Sequence, residues 1–139
     1  MTNQHLPLLE SGALAAAVVL TASLAALPTF GSASESDQGI QDGLSLLRGA
    51  LFRLELEAGP EALVAIEDGA TLASRLAPRH LAAIPENPVN QMATVRVMPK
   101  GWGRPVFNGT SGWVFVPDTG EIRANMTGLD TGGKPYAEY

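Results

Sequence analysis

Between Ser11 and Ser34 lie 24 consecutive residues without a charged side chain, and no other feature constrains the fold of this chain as strongly. The densest part, Gly12 to Leu27, is mostly Ala, Leu and Val. A membrane-spanning helix needs about 20 predominantly apolar residues. The run has that length, although its Ala content keeps it only moderately hydrophobic. Three structures suit it: a retained membrane anchor, a cleaved secretory signal peptide, or a buried core helix. A signal peptide carries a positive segment ahead of its apolar core, whereas residues 1–10 hold no Lys or Arg and end in Glu10. In favour of cleavage, Ser32-Ala33-Ser34 has the small-x-small form that a signal peptidase accepts. The flanks favour the anchor, but the Lys/Arg bias that orients a span has almost nothing to count nearby. Glu10 reads either as a helix N-terminal carboxylate favoured by the dipole or as an acid at a membrane boundary with a specific partner.

Beyond Glu35 the periodicity becomes helical. Ile40, Leu44, Leu47, Leu51 and Leu54 recur at steps of four and three, one apolar stripe over Asp37 to Glu57. Leu46 and Phe52 are expected to widen it, Gly43 and Gly49 to weaken it slightly, and Gly59-Pro60 to stop it. If Pro28 only kinks the chain, the apolar run and the stripe form one long, bent helix. Glu61 to Leu76 reads as a shorter Ala-rich helical stretch, broken at Gly69, that buries Leu63, Ile66, Leu72 and Leu76. Pro78, Pro85 and Pro88 enforce an extended connector. After it the period falls to two. Ala93 to Met98, Gly112 to Pro117 and Glu121 to Met126 read as three strands, the last two joined by the turn Asp118-Thr119-Gly120. Pro117 marks a strand end. The expected architecture is α+β: a long N-terminal helix, membrane-anchoring in its first half and amphipathic in its second, packed on a small antiparallel sheet. Its segments are a short leader (1–10), the apolar helix (11–34) and a globular domain (35–139). The domain comprises the helix 37–57, the connector 58–92, the sheet 93–126 and a turn-rich loop 127–139.

Composition removes several classes of chemistry. At 139 residues there is room for one modest domain plus a leader or anchor. The absence of Cys excludes a disulfide framework, a thiolate zinc site and thiol catalysis. Nine Lys and Arg against 14 Asp and Glu, with no basic run, argue against nucleic acid as a partner. Asp-Thr-Gly, the aspartic-protease tripeptide, occurs at Asp118 and again at Asp130. A shared-proton dyad requires each Asp on its own buried loop, and these three residues are also simply turn formers. Gly128 to Lys134 fits seven positions of a P-loop, but Pro135 stands where Ser or Thr must hold magnesium. His5 and His80 occupy unrelated segments, and His80 reads as a surface residue. A hard-cation site using Asp118 or Asp130 with backbone carbonyls, calcium being the ion, lacks an acidic cluster. Asn108 and Asn125 match the N-glycosylation pattern. Of Trp102 and Trp113, at least one is expected to cap the helix–sheet core.

Ile84-Pro-Glu-Asn-Pro-Val-Asn90 together with Gly112-Trp-Val-Phe-Val-Pro-Asp-Thr-Gly-Glu-Ile-Arg-Ala-Asn125 resembles the major (G-type) pseudopilins of type II secretion, within the type IV pilin-like proteins. Those proteins have an Asn-Pro connector (here Asn87-Pro88), a Gly-Trp strand (Trp113), a Thr-Gly turn (Gly120) and an Ile-x-x-Asn strand. Leu46 to Leu54 is similar to their amphipathic helix, and Gly128 to Tyr139 to the tail of some members. The likeness spans residues 6–139 in layout and 84–139 in motif. Leu6-Pro-Leu-Leu-Glu10 keeps the family's Glu five residues past the processing site, while His5 stands at the Gly position, Leu6 replaces the aromatic, and the leader has no basic residue. The family's calcium-loop acids are not evident. The resemblance implies a non-enzymatic filament subunit held by a single pass in the cytoplasmic membrane, with its globular domain outside. The implied partners are copies of itself, other pseudopilins and inner-membrane components of the secretion machine. Processing between His5 and Leu6 would let Glu10 pair with the N-terminal amine of a neighbouring subunit. The rival class is a secreted or periplasmic small binding domain freed by signal-peptide cleavage.

Overall fold

The stripe at Ile40, Leu44, Leu47, Leu51 and Leu54 folds as one face of a 31-residue helix, α1 (Pro28–Ala58), and every member of it is buried. The computed structural model describes residues 28–139, with side chains from Glu35 onward, so the apolar run up to residue 27 and the leader lie outside the described residues. Ala50 joins the buried face. Leu46 and Phe52 do not widen it: they are 56% and 60% exposed. At 3.6 residues per turn, Leu46 sits about 200° around the helix from Leu44, and Phe52 points away from Leu54 to a similar degree.

Glu61 to Leu76 forms two helices, α2 (Glu61–Val64) and α3 (Gly69–Leu76), divided at residues 65–68, so that Gly69 opens the second helix instead of breaking the stretch. Asp68 makes the break productive. It is the N-cap of α3, and its carboxylate accepts from the Thr71 amide and the Thr71 hydroxyl, both at 2.7 Å. Leu63, Ile66, Leu72 and Leu76 are all buried. Their removal from water stabilises the packing of this segment by about 1.5–3 kcal/mol per side chain.

Three strands follow, β1 (Val95–Val97), β2 (Trp113–Val116) and β3 (Glu121–Ala124), in the order β1-β2-β3. The β2–β3 pair is the expected antiparallel hairpin, with Val116 opposite Glu121 across the turn. Gly120, at φ +69°, takes the left-handed turn position and donates its amide to Val116 O at 2.9 Å. The β1–β2 pair corrects the expectation of a wholly antiparallel sheet: it is parallel, Val95 opposite Trp113 and Val97 opposite Phe115. A parallel partner requires a long return connection in place of a tight turn. Residues 98–112, with Pro99, Gly101, Gly103 and Pro105, supply it as an irregular loop. The sheet is therefore mixed, inside an α+β fold.

Because that loop returns across the sheet, β2 is buried on both faces. Trp113 and Phe115 join the main core with Ile122, Ala124 and the α1 stripe. Val114 and Val116 form a second cluster with Met98, covered by the partly buried Phe107. The unbroken apolar string Trp-Val-Phe-Val is the sequence correlate of a strand covered on both sides. A short 3-10 turn, Tyr136–Glu138, closes the described chain, and Ala33–Tyr139 make one compact unit.

Candidate functional site

The connector and the first residues of β2 meet in a buried polar hub. Asn87 is fully buried, and its side-chain amide donates to Gly112 O at 2.9 Å while its Oδ1 accepts from the Val89 amide at 3.0 Å. Its backbone completes the ring, the amide donating to Met92 O at 3.0 Å and the carbonyl accepting from Gln91 N at 2.7 Å. Trp113, also fully buried, donates its indole N–H to Pro85 O at 2.8 Å. The ring edge lies over Gly43, where a Cβ would come within 2.8 Å of Cη2. Pro88 lies over Gly39, one helical turn earlier. Asn87, Pro88 and Trp113 thus come together to fasten connector, sheet and helix. Trp102, in contrast, is 56% exposed. Gly43 does more than weaken α1, since no side chain fits beneath the indole. The signal for it was a Gly inside an otherwise continuous apolar stripe.

A second fastening, which the sequence did not suggest, joins the chain's far end to α1. The buried carboxylate of Asp37 accepts from the Thr131 amide at 3.1 Å, from the Thr131 hydroxyl, and from Tyr136 OH at 3.1 Å. Burial, reinforced by the Asp37 bond, pushes the Tyr136 phenol up to about 12. Asp130 organises the loop itself, accepting from the Gly132 and Lys134 amides at 2.8 and 2.7 Å and from Tyr139 OH. The Tyr139 hydroxyl and the backbone amides hold the Asp130 carboxyl below its ordinary value, and the same contact raises Tyr139. Arg123 of β3 adds a bond to Ala137 O at 3.0 Å and pairs with Glu121.

Asp118 belongs to a separate loop. Its Oδ2 accepts from the Gly101 and Gly103 amides at 2.7 and 3.3 Å. The two Asp-Thr-Gly tripeptides therefore serve two different loops, and no hydrogen bond joins their carboxylates. Oδ2 of Asp118 and both oxygens of Asp130 accept from N–H and O–H donors of their own loops. Among the described residues no three His, Asp or Glu side chains are grouped to hold a metal ion. Asn125 is fully buried, its amide donating to Asn108 Oδ1 and Ser111 Oγ at 3.0 and 2.7 Å, so in the folded chain its nitrogen is occupied by packing contacts.

His80 departs from its expected surface position. Its side chain is 3% exposed, with Nε2 3.5 Å from Glu57 Oε2, and Arg53 donates to its carbonyl at 2.5 Å. The reversal of the chain after α3, where the His80 and Leu81 amides bond Leu76 O at 2.7 and 3.2 Å, carries the imidazole under the end of α1.

Gly120 sits apart from the hub, in the hairpin turn, where it helps line an open cleft of about 300 Å³ between α1, α2 and the β2–β3 turn. Arg48, in that lining, donates to Ile122 O at 3.3 Å, and burial, with Arg123 nearby, lowers its pKa. His5, Leu6 and Glu10 lie outside the described residues.

Comparison of the chain with protein-family models, with curated proteins and with solved structures finds no match. Among the described residues no helix is long and apolar enough to cross a membrane; the apolar run of the sequence up to residue 27 lies outside them.

Proposed function

We propose that this chain is a pseudopilin-like structural subunit, one component of a type II secretion pseudopilus or a related type IV pilus-like filament, with no catalytic role. The observation that carries the reading is the hub. The Asn-Pro connector and the Gly-Trp strand, the two motifs on which the resemblance rests, meet on the same two turns of a long helix through Asn87, Pro88 and Trp113. That arrangement fixes a small sheet domain rigidly to a helix whose sequence continues upstream into an apolar run.

In this reading the apolar run holds the subunit in the cytoplasmic membrane as a single pass, with the sheet domain on the outer side. During assembly the apolar helices leave the bilayer and pack together in the filament core, and the sheet domains coat it. Glu10 then pairs with the amine of a neighbour's new N-terminus, created by cleavage between His5 and Leu6. A carboxylate buried without a partner is strongly destabilising, so the pair sets the register between subunits. Partners are copies of the chain, other pseudopilins and the inner-membrane part of the secretion machine.

The test is Glu10→Ala in the full chain. Expected is a folded sheet domain, judged by an unchanged denaturation midpoint, with filament assembly abolished. Normal assembly by the variant would overturn the register role.

A further inference from the structure

Two exposed features adjoin on the globular domain, an aromatic knob with cationic flanks and an apolar cleft that carries acids. The first is the loop that carries Trp102. Because Asp118 accepts from the amides on either side of Trp102, at Gly101 and Gly103, the loop is clamped, and the indole is held 56% exposed at its tip. Lys100 and Arg104 flank it. Lys100 reaches only the exposed Glu67, at 3.8 Å, and Arg104 makes no bond among the described residues. No acid occurs between Glu86 and Asp118, so Arg96, Lys100 and Arg104 make this loop cationic on a chain of net charge −5.

The second feature is the cleft of about 300 Å³ already described. Its apolar walls include Leu51, Leu63 and the outward-facing Phe52 and Val64, which are 60% and 43% exposed. Glu55 and Asp118 line it beside Arg48, whose guanidinium is held to Ile122 O, and the Glu55 side chain makes no bond among the described residues. Asp118 lines the cleft and clamps the loop, so the aromatic knob and the apolar hole lie side by side. A patch holding a knob next to its own kind of hole is self-complementary, the property a two-fold interface requires.

We propose that the occupant of the cleft is a second copy of this chain: Trp102 of each copy seats among Leu51, Phe52, Leu63 and Val64 of the other, with Lys100 and Arg104 facing Glu55. Trp is among the side chains enriched as anchors of such interfaces, and the opposed charges favour this occupant over a neutral one. The reciprocal exchange leaves neither a knob nor a cleft unfilled. The pairing rests on the described residues 35–139 and is independent of the filament reading.

The chain has no Cys, so single-Cys variants report contacts without background. Full-length Arg104→Cys and Glu55→Cys chains, carrying different tags, are co-expressed in the host and oxidised. The expected product is a disulfide between the two tags in excess over either same-tag dimer. Adding Trp102→Ala to the Arg104→Cys chain lowers its yield about tenfold, as loss of a buried aromatic anchor does, with the denaturation midpoint unchanged. No excess of mixed dimer, or a yield indifferent to Trp102→Ala, overturns the proposal. So does quenching of Trp102 fluorescence by brominated anionic vesicles in place of mixed dimers, which would make a lipid surface the occupant.

Discussion

The connector and the C-terminal loop are both tied to α1, but by different chemistry. Asn87 and Trp113 fasten the connector with neutral groups that are fully buried, using amide, indole and carbonyl bonds. The loop after residue 127 is fastened by two carboxylates, Asp37 and Asp130, receiving bonds from phenols, a hydroxyl and amides. The first set is indifferent to pH. The second includes Asp130, Tyr136 and Tyr139, whose protonation the fold shifts, so one helix carries a permanent joint on one side and a titratable joint on the other. A motif-bearing hub is thereby insulated from conditions that loosen the loop.

Asn87→Ala gives the largest effect expected from this contrast. It leaves the buried Gly112 O without its partner, at about 1–3 kcal/mol, and empties the space of a fully buried side chain, while the exposed Val89 loses an amide bond that water replaces. A loss of about 2–4 kcal/mol is expected in urea denaturation of the full chain, with the connector and the sheet failing together. A loss confined to the connector would show that the hub is not shared.

Asp37→Ala is expected to cost less, about 1–2 kcal/mol, because the groups it releases at Thr131 and Tyr136 regain water. Hydrogen exchange separates the two joints: the Thr131 amide should lose its protection while the Asn87 amide keeps it. Equal deprotection of both would erase the comparison.

The smallest effect is a pH response confined to the loop. The Tyr136 phenol stays protonated in the fold up to about 12, whereas in the unfolded chain it ionises near 10. Unfolding between those values releases a proton, so the contribution of Tyr136 is complete below pH 10 and is lost as pH rises from 10 to about 12. Asp130, held below its ordinary 3.8, works in the opposite direction, and its contribution disappears as pH falls from about 4 through the lower folded value. Amide exchange at Lys134, which donates to Asp130, should therefore quicken at both extremes relative to the Asn87 amide. Parallel behaviour of the two amides would contradict the assignment of the titratable joint.

What the sequence disclosed follows from the range of the interactions. The α1 stripe and the hairpin through Gly120 are local patterns, and each stands where its residues indicate. The outward turn of Leu46 and Phe52 was also local, since both fall off the 3.6 period, but apolar character alone hid it. The parallel β1–β2 pairing depends on the path of residues 98–112, which carries no periodicity. Asp37 meets Thr131 and Tyr136 across almost the whole described chain, and a single acid within a helix is no sign of such a contact. The hub was half legible. Asn87, Pro88 and Trp113 stood out by resemblance, whereas Gly43 was marked only as a Gly inside the stripe, and the indole above it supplies the reason.

The filament reading is tested most directly by the intact mass and N-terminal sequence of the protein isolated from its host membrane. The account predicts a chain that begins at Leu6 and remains in the membrane fraction, leaving Glu10 close to a new free amine. A soluble chain that begins at Glu35 would contradict it and make the protein a secreted domain.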